Sequence, residues 1–182
     1  QPVKELCLDR HKPDDAVMKK AHKNFPVATA PGATCHDPHS SDLPNLLKSS
    51  AHPPVIAGDC AACHVGADAA KPFDVKASGV ALCGTCHDVK KLEDGGTHLH
   101  APFEDGDCSS CHEPHASSNP KLLARAGNAL CTDCHTDQGK AFPIRHAAVE
   151  DGGCLSCHRP HASKGAKLLD QPEAELCVGC HS

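Results

Sequence analysis

The chain lacks what a protein of its length usually folds around. Its 182 residues include no Trp, no Tyr and one Met, Met18, and the aromatic side chains are Phe25, Phe73, Phe103 and Phe142. Large aromatic and aliphatic side chains supply most of the burial free energy of an ordinary domain, so a conventional core is not expected. With 14 Gly, 15 Pro and many apolar positions taken by Ala, the chain should be floppy unless something else fills its interior. A run of about 18 apolar residues, the length of a membrane helix, is missing too. The start at Gln1 has neither the charged region nor the apolar stretch of a signal peptide, so it reads as a mature, exported form. Positive charge is not in excess: a net charge of −5 argues against nucleic acid as partner, because phosphate binding needs clustered Lys and Arg.

What the chain has instead is 14 Cys and 16 His. Such thiol density is rare in the reducing cytosol. The pattern Cys-x-x-Cys-His occurs six times: CAACH at 60–64, CGTCH at 83–87, CSSCH at 108–112, CTDCH at 131–135, CLSCH at 154–158 and CVGCH at 177–181. Successive first cysteines are 23, 25, 23, 23 and 23 residues apart, the mark of one supersecondary unit used repeatedly. Two types of unit alternate from Cys83 onward. One follows Leu (ALCGTCH, ALCTDCH, ELCVGCH). The other follows Gly plus Asp or Gly, and two of its three members continue into Pro-His, at His115 and His161. The first third of the chain holds two incomplete copies. ELCLDRH at 5–11 is a Leu-type unit with Arg10 at the second cysteine position, and GATCHDPH at 32–39 is a Gly-type unit with Gly32 at the first. One register therefore covers residues 1–182 as a single domain of eight units, starting at 7, 32, 60, 83, 108, 131, 154 and 177.

Cys-x-x-Cys-His is the attachment signature of c-type haem. Two thiols on one turn add to the two porphyrin vinyl groups, and the adjoining His lies beneath the iron. The twelve paired thiols are Cys60, Cys63, Cys83, Cys86, Cys108, Cys111, Cys131, Cys134, Cys154, Cys157, Cys177 and Cys180. The proximal ligands are then His64, His87, His112, His135, His158 and His181. A zinc ribbon would also accept such thiol pairs, but four thiolates complete its tetrahedron and leave six adjacent histidines unexplained. A disulfide framework ignores the same histidines. A thiol-disulfide enzyme needs one such motif on a βαβ pattern, not six without strand signals.

The remaining histidines support the haem reading. His11 and His36 occupy the proximal position of the two incomplete units. That leaves His22, His39, His52, His98, His100, His115, His146 and His161, eight candidates for the distal position. His52, His100 and His146 each precede a Gly-type first cysteine by eight residues, His22 precedes Gly32 by ten, and His39, His115 and His161 are the Pro-His residues. His98 is irregular and could stand in for the Pro-His missing after His64. Eight units with one proximal and one distal ligand use all sixteen. Eight haems are therefore favoured over six, the extra two each held by one thioether, through Cys7 with His11 and Cys35 with His36. The alternative is that both were lost and Cys7 pairs with Cys35.

The phrase ALCGTCHDVKKLEDGGTHLHAPFEDGDCSSCHEPH, residues 81–115, repeated along the chain, resembles the multihaem c-type cytochromes with doubled CxxCH motifs. The resemblance implies a periplasmic or extracellular electron carrier, not an enzyme, whose partners are redox proteins or extracellular metal acceptors. Some members of that group polymerise into filaments with a continuous haem chain, so self-association is among the expectations. The fold implied is haem-organised: mostly coil with short α-helices, little or no β, the haem chain replacing a hydrophobic core. Helices are expected at 14–23, 119–135 and 173–181, and loops at 26–34 and 94–107. With Met18 the one Met, at most one iron can be His/Met; the others should be bis-His and low in potential. A multihaem reductase is the rival function, and it would need one iron with an open position.

Overall fold

The computed structural model describes residues 3–138, 143–151 and 153–181. Along the chain it forms short helices α1 (Val3–Arg10), α2 (Ala16–Ala21), α3 (Pro53–Ile56), α4 (Val80–Cys83), α5 (Val89–Glu93), α6 (Ala101–Glu104), α7 (Asn128–Thr132), α8 (Ala147–Asp151) and α9 (Glu173–Val178). Four two-residue strands, β1 (Ser50–Ala51), β2 (His98–Leu99), β3 (Ala116–Ser117) and β4 (Ala162–Ser163), make two antiparallel pairs, β1 with β3 and β2 with β4. The rest is coil and 3₁₀ turn, as the poverty of strand and long-helix signals predicts. No helix among the described residues is long and apolar enough to cross a membrane.

The chain divides into two compact units, one built from Gln1–Ser78 with His112–Ala124 and the other from Gly79–Cys111 with Arg125–Ser182. In the first, β1 pairs Ser50 with Ser117 and Ala51 with Ala116. Helix α2 opens on Asp15, whose carboxylate accepts the Val17 N–H at 3.1 Å, an N-cap that explains the start. In the second, β2 pairs His98 with Ser163 and Leu99 with Ala162. Asp88 caps α5 by accepting the Lys91 N–H. Gly79 caps the start of α4 at φ +54°, where a Cβ would lie 2.6 Å from the Gly106 carbonyl oxygen.

Both units contain the same Gly-type module. A 3₁₀ turn over the cysteine positions (Gly32–Thr34, Cys60–Ala62, Cys108–Ser110, Cys154–Ser156) leads into the motif His. The chain then loops back so that His36 bridges Leu47, His64 bridges Val75, His112 bridges Leu123 and His158 bridges Leu169. Three of these return loops turn on two successive left-handed residues, Asn45–Leu46, Lys121–Leu122 and Lys167–Leu168.

The return loop corrects the helix expected over 119–135. Residues Pro120–Leu122 form a 3₁₀ turn whose left-handed pair reverses the chain toward His112, and α-helix resumes only at Asn128. The loop expected over 94–107 also contains structure: β2, and α6, which Pro102 helps to start just after His100. Over 26–34 the chain forms two 3₁₀ turns. The helices at α2 and α9 fall inside the expected 14–23 and 173–181.

Nothing in either unit amounts to a conventional core. Among the described residues the buried apolar side chains are Phe25, Ala116 and Ala162, while Ile144, Val17 and Val178 are largely exposed.

Candidate functional site

The motif positions share one backbone turn. The N–H of the motif His donates to the carbonyl four residues back in His64, His87, His135, His158 and His181, with N···O distances of 2.9–3.0 Å. Both incomplete units make the same bond, from His11 to Cys7 and from His36 to Gly32, at 2.8 and 2.9 Å. The loss of one cysteine has left the local geometry intact. Each turn brings the cysteine and histidine positions together on one loop of backbone, the spacing that attachment of one flat cofactor uses.

In the Gly-type modules the imidazole is fixed by the return loop. Nδ1 of His36, His64, His112 and His158 donates to the carbonyls of Asn45, Phe73, Lys121 and Lys167, at 2.8–2.9 Å. A carbonyl can only accept, so Nδ1 carries the proton and Nε2 presents a lone pair. This is the outer-shell bond that orients a metal-ligating His. The left-handed residues are what turn the Asn45, Lys121 and Lys167 carbonyls inward.

Motif imidazoles face imidazoles from outside the motifs. His64 lies parallel to His115 with ring centroids 5.9 Å apart and planes 9° apart. His100 and His135 are separated by 6.1 Å and 17°, and His146 and His181 by 5.8 Å and 26°. His22 and His36 are 6.2 Å apart, with planes crossed at 68°. Two imidazoles on opposite sides of one metal, each with Nε2 about 2 Å from it, have centroids about 6 Å apart. Ordinary aromatic pairs span the same range, but each pair here joins one motif His to one non-motif His. The residues fit haem iron with two axial imidazoles.

The other candidates are placed as follows. His11, at the end of α1, is exposed, as is Cys7. His52 and His100 precede α3 and α6 in extended conformation, and their N–H groups donate to the carbonyls of His115 and His161. Nδ1 of His100 donates to the Pro160 carbonyl at 3.0 Å. The His161 ring packs at 5.0 Å on Phe103, and Phe25 and Phe73 flank His64. His39 lies beside Asp37 with its side chain almost fully exposed, and His98 contacts Thr97.

Four residues of this arrangement escape the motif reading. Ser41, Ser117 and Ser163 stand two positions after each Pro-His. Their hydroxyls donate to the carbonyls of Leu47, Leu123 and Leu169 and accept the N–H of Leu43, Asn119 and Gly165. The signal was present in PHSS, PHAS and PHAS, where the Ser recurs at one offset. Asn128 is the fourth: its Oδ1 accepts the Cys154 N–H and its Nδ2 donates to the Val149 carbonyl, both at 2.8 Å. It thereby ties α7, which carries Cys131, to the turn that carries Cys154.

Burial pushes Cys131 up to about 11, with Cys154, its hydrogen-bonding neighbour, adding to the shift. Burial raises Cys35 and Cys60 as well, and each of the two units brings cysteines of successive motifs together: Cys35 near Cys60, Cys131 near Cys154. A nucleophilic or disulfide-exchanging Cys has a lowered pKa, the opposite direction to the shift at these three thiols.

The doubled CXXCH motif family matches residues 52–92, 100–140 and 146–182. The segments open on His52, His100 and His146, and each holds one Gly-type and one Leu-type motif. No curated protein matches the sequence significantly. Six complete attachment motifs and a family match over most of the chain agree: the chain belongs to the doubled CXXCH family and is a multihaem c-type cytochrome.

Proposed function

We propose that the chain relays electrons through a series of bis-His haems, outside the cytoplasm, to a redox protein or an extracellular metal acceptor. Bound haem supplies a one-electron couple at each iron. The protein's part is attachment, ligation and local polarity. The paired cysteines fix each porphyrin through two thioethers, and Cys7 and Cys35 each through one, for eight haems in all. The observation that carries the reading is the facing of motif by non-motif imidazoles, which supports His115 opposite His64, His100 opposite His135 and His146 opposite His181 as axial pairs. Two strong ligands leave an iron no position for substrate, which favours relay over catalysis. Nδ1–carbonyl bonds raise imidazole basicity and favour ferric iron, lowering the potential. The approach of Cys131 to Cys154 and of Cys35 to Cys60 supports close spacing of successive carriers within each unit. A net charge of −5, before propionates are added, favours basic or cationic partners.

Polymerisation into a filament is the finer form of the same reading; micrographs of concentrated protein with globular particles alone would contradict it. The relay itself is tested by spectroscopy and redox titration of the purified holoprotein. Low-spin ferric iron throughout, negligible CO uptake on reduction and potentials well below those of His/Met carriers are expected. A stoichiometric high-spin iron that takes up CO would point to a multihaem reductase.

A further inference from the structure

The Cys35–His36 unit departs from the repeat twice. Its first cysteine is Gly32, and the ring that should face its histidine is also missing. In the first compact unit His64 is faced by His115, the Pro-His of the next Gly-type motif, three residues after His112. By that register His36 should be faced from three residues after His64, and the residue there is Ala67.

The structure nevertheless keeps His36 prepared. Its 3₁₀ turn ends at Cys35 with φ −106° and ψ −35°, against −113° and −36° at Cys63. Nδ1 donates to Asn45 at 2.8 Å, as His64 Nδ1 does to Phe73, and the bridge to Leu47 is retained. A different element supplies the second ring. His22 ends α2, and the Met18 carbonyl accepts both its backbone N–H and its Nδ1–H at 3.0 Å. Left-handed Lys23 and Asn24 then turn the chain to bury Phe25. His22 is thereby half-buried, with Nδ1 engaged by the Met18 carbonyl and its ring centroid 6.2 Å from that of His36. Its plane is crossed at 68°, whereas the other three facing pairs lie within 26° of parallel.

We infer that His22 replaces the missing Pro-His as second axial ligand of a haem held by the single thioether of Cys35, with crossed ligand planes that set this iron apart electronically. The inference rests on the haem reading above. Parallel imidazoles split the two iron dπ orbitals that carry the unpaired electron and give a rhombic low-spin signal. Crossed imidazoles leave those orbitals nearly degenerate and give a highly anisotropic one.

Electron paramagnetic resonance of the oxidised holoprotein, with peptide mapping of its haems, tests this. The haem of His36 should contribute a highly anisotropic signal, and the peptide containing Cys35 should carry haem. In His22→Ala that signal should vanish, one ferrous iron per chain should take up CO, and added imidazole should restore low-spin iron at unchanged haem count. His115→Ala should instead remove one rhombic iron and leave the anisotropic signal. Should His22→Ala fail to fold, His22→Met serves: one iron should stay low-spin, gain the Met–iron charge-transfer band and rise in potential. An unchanged spectrum in either His22 variant, or a Cys35 peptide without haem beside six haem-bearing motifs, overturns the inference and leaves the relay standing. A colourless protein overturns both.

Discussion

At the residue scale, the repeated phrase reads as a set of paired requirements. Cysteine and histidine hold the cofactor, and the serine two places beyond Pro-His holds the loop that orients the histidine. Ser117 is buried, with 3% of its surface exposed; its hydroxyl donates to Leu123 and accepts from Asn119. Ser117→Ala takes the side-chain acceptor from the Asn119 N–H and leaves the Leu123 carbonyl with the Asn119 Nδ2 donor, a loss of about 1 kcal/mol. Chemical denaturation of the loaded protein should show it, with wild-type haem content, and a midpoint equal to wild type would contradict the role. Cysteine and histidine were legible in the sequence because their chemistry and spacing admit few uses. The serines were not, because a loop hydroxyl has many uses and only the fold shows which carbonyl it meets. The same holds for Asn45 and Phe73, which act through main-chain carbonyls that no side-chain pattern announces.

At the scale of elements, the sequence reveals where short helices begin more readily than where they must stop. Asp15 and the apolar positions after it mark α2, and the Leu-type phrase marks α9. The stretch 119–135 is rich in Leu and Ala, yet Pro120, Gly127 and tertiary demands break it: Lys121 must offer its carbonyl to His112, and Leu123 must bridge that same histidine. Local propensity is worth tenths of a kcal/mol per residue and yields to such a contact. The glycines that open α4 and α7 provide a graded test. Gly79 and Gly127 share φ +54°, but a Cβ on Gly79 would lie 2.6 Å from the Gly106 carbonyl oxygen, whereas nothing stands within 4 Å of one on Gly127. Gly127→Ala should cost about 1–3 kcal/mol of backbone strain. Gly79→Ala should cost clearly more, because backbone must move. Thermal melts of the two holoproteins would check the order, and equal losses would contradict the packing argument.

At the scale of the molecule, the absence of a core and the abundance of ligands have one cause. A chain with three buried apolar side chains among its described residues cannot offset the conformational entropy of folding, about 1–2 kcal/mol per residue for the backbone. Covalently held porphyrins supply the missing apolar surface, and ligand binding then becomes folding energy. The class of fold was therefore legible from composition and motif alone. The assignment of ring to ring was not: His22 faces His36 although their sequence register differs from that of every complete unit, and only the folded path of α2 brings them together. The central claim is covalent porphyrin at every unit. Intact-mass measurement of the purified holoprotein tests it most directly: the account predicts the polypeptide mass plus eight haems, and a mass with six haems or fewer, or polypeptide plus zinc, would contradict it.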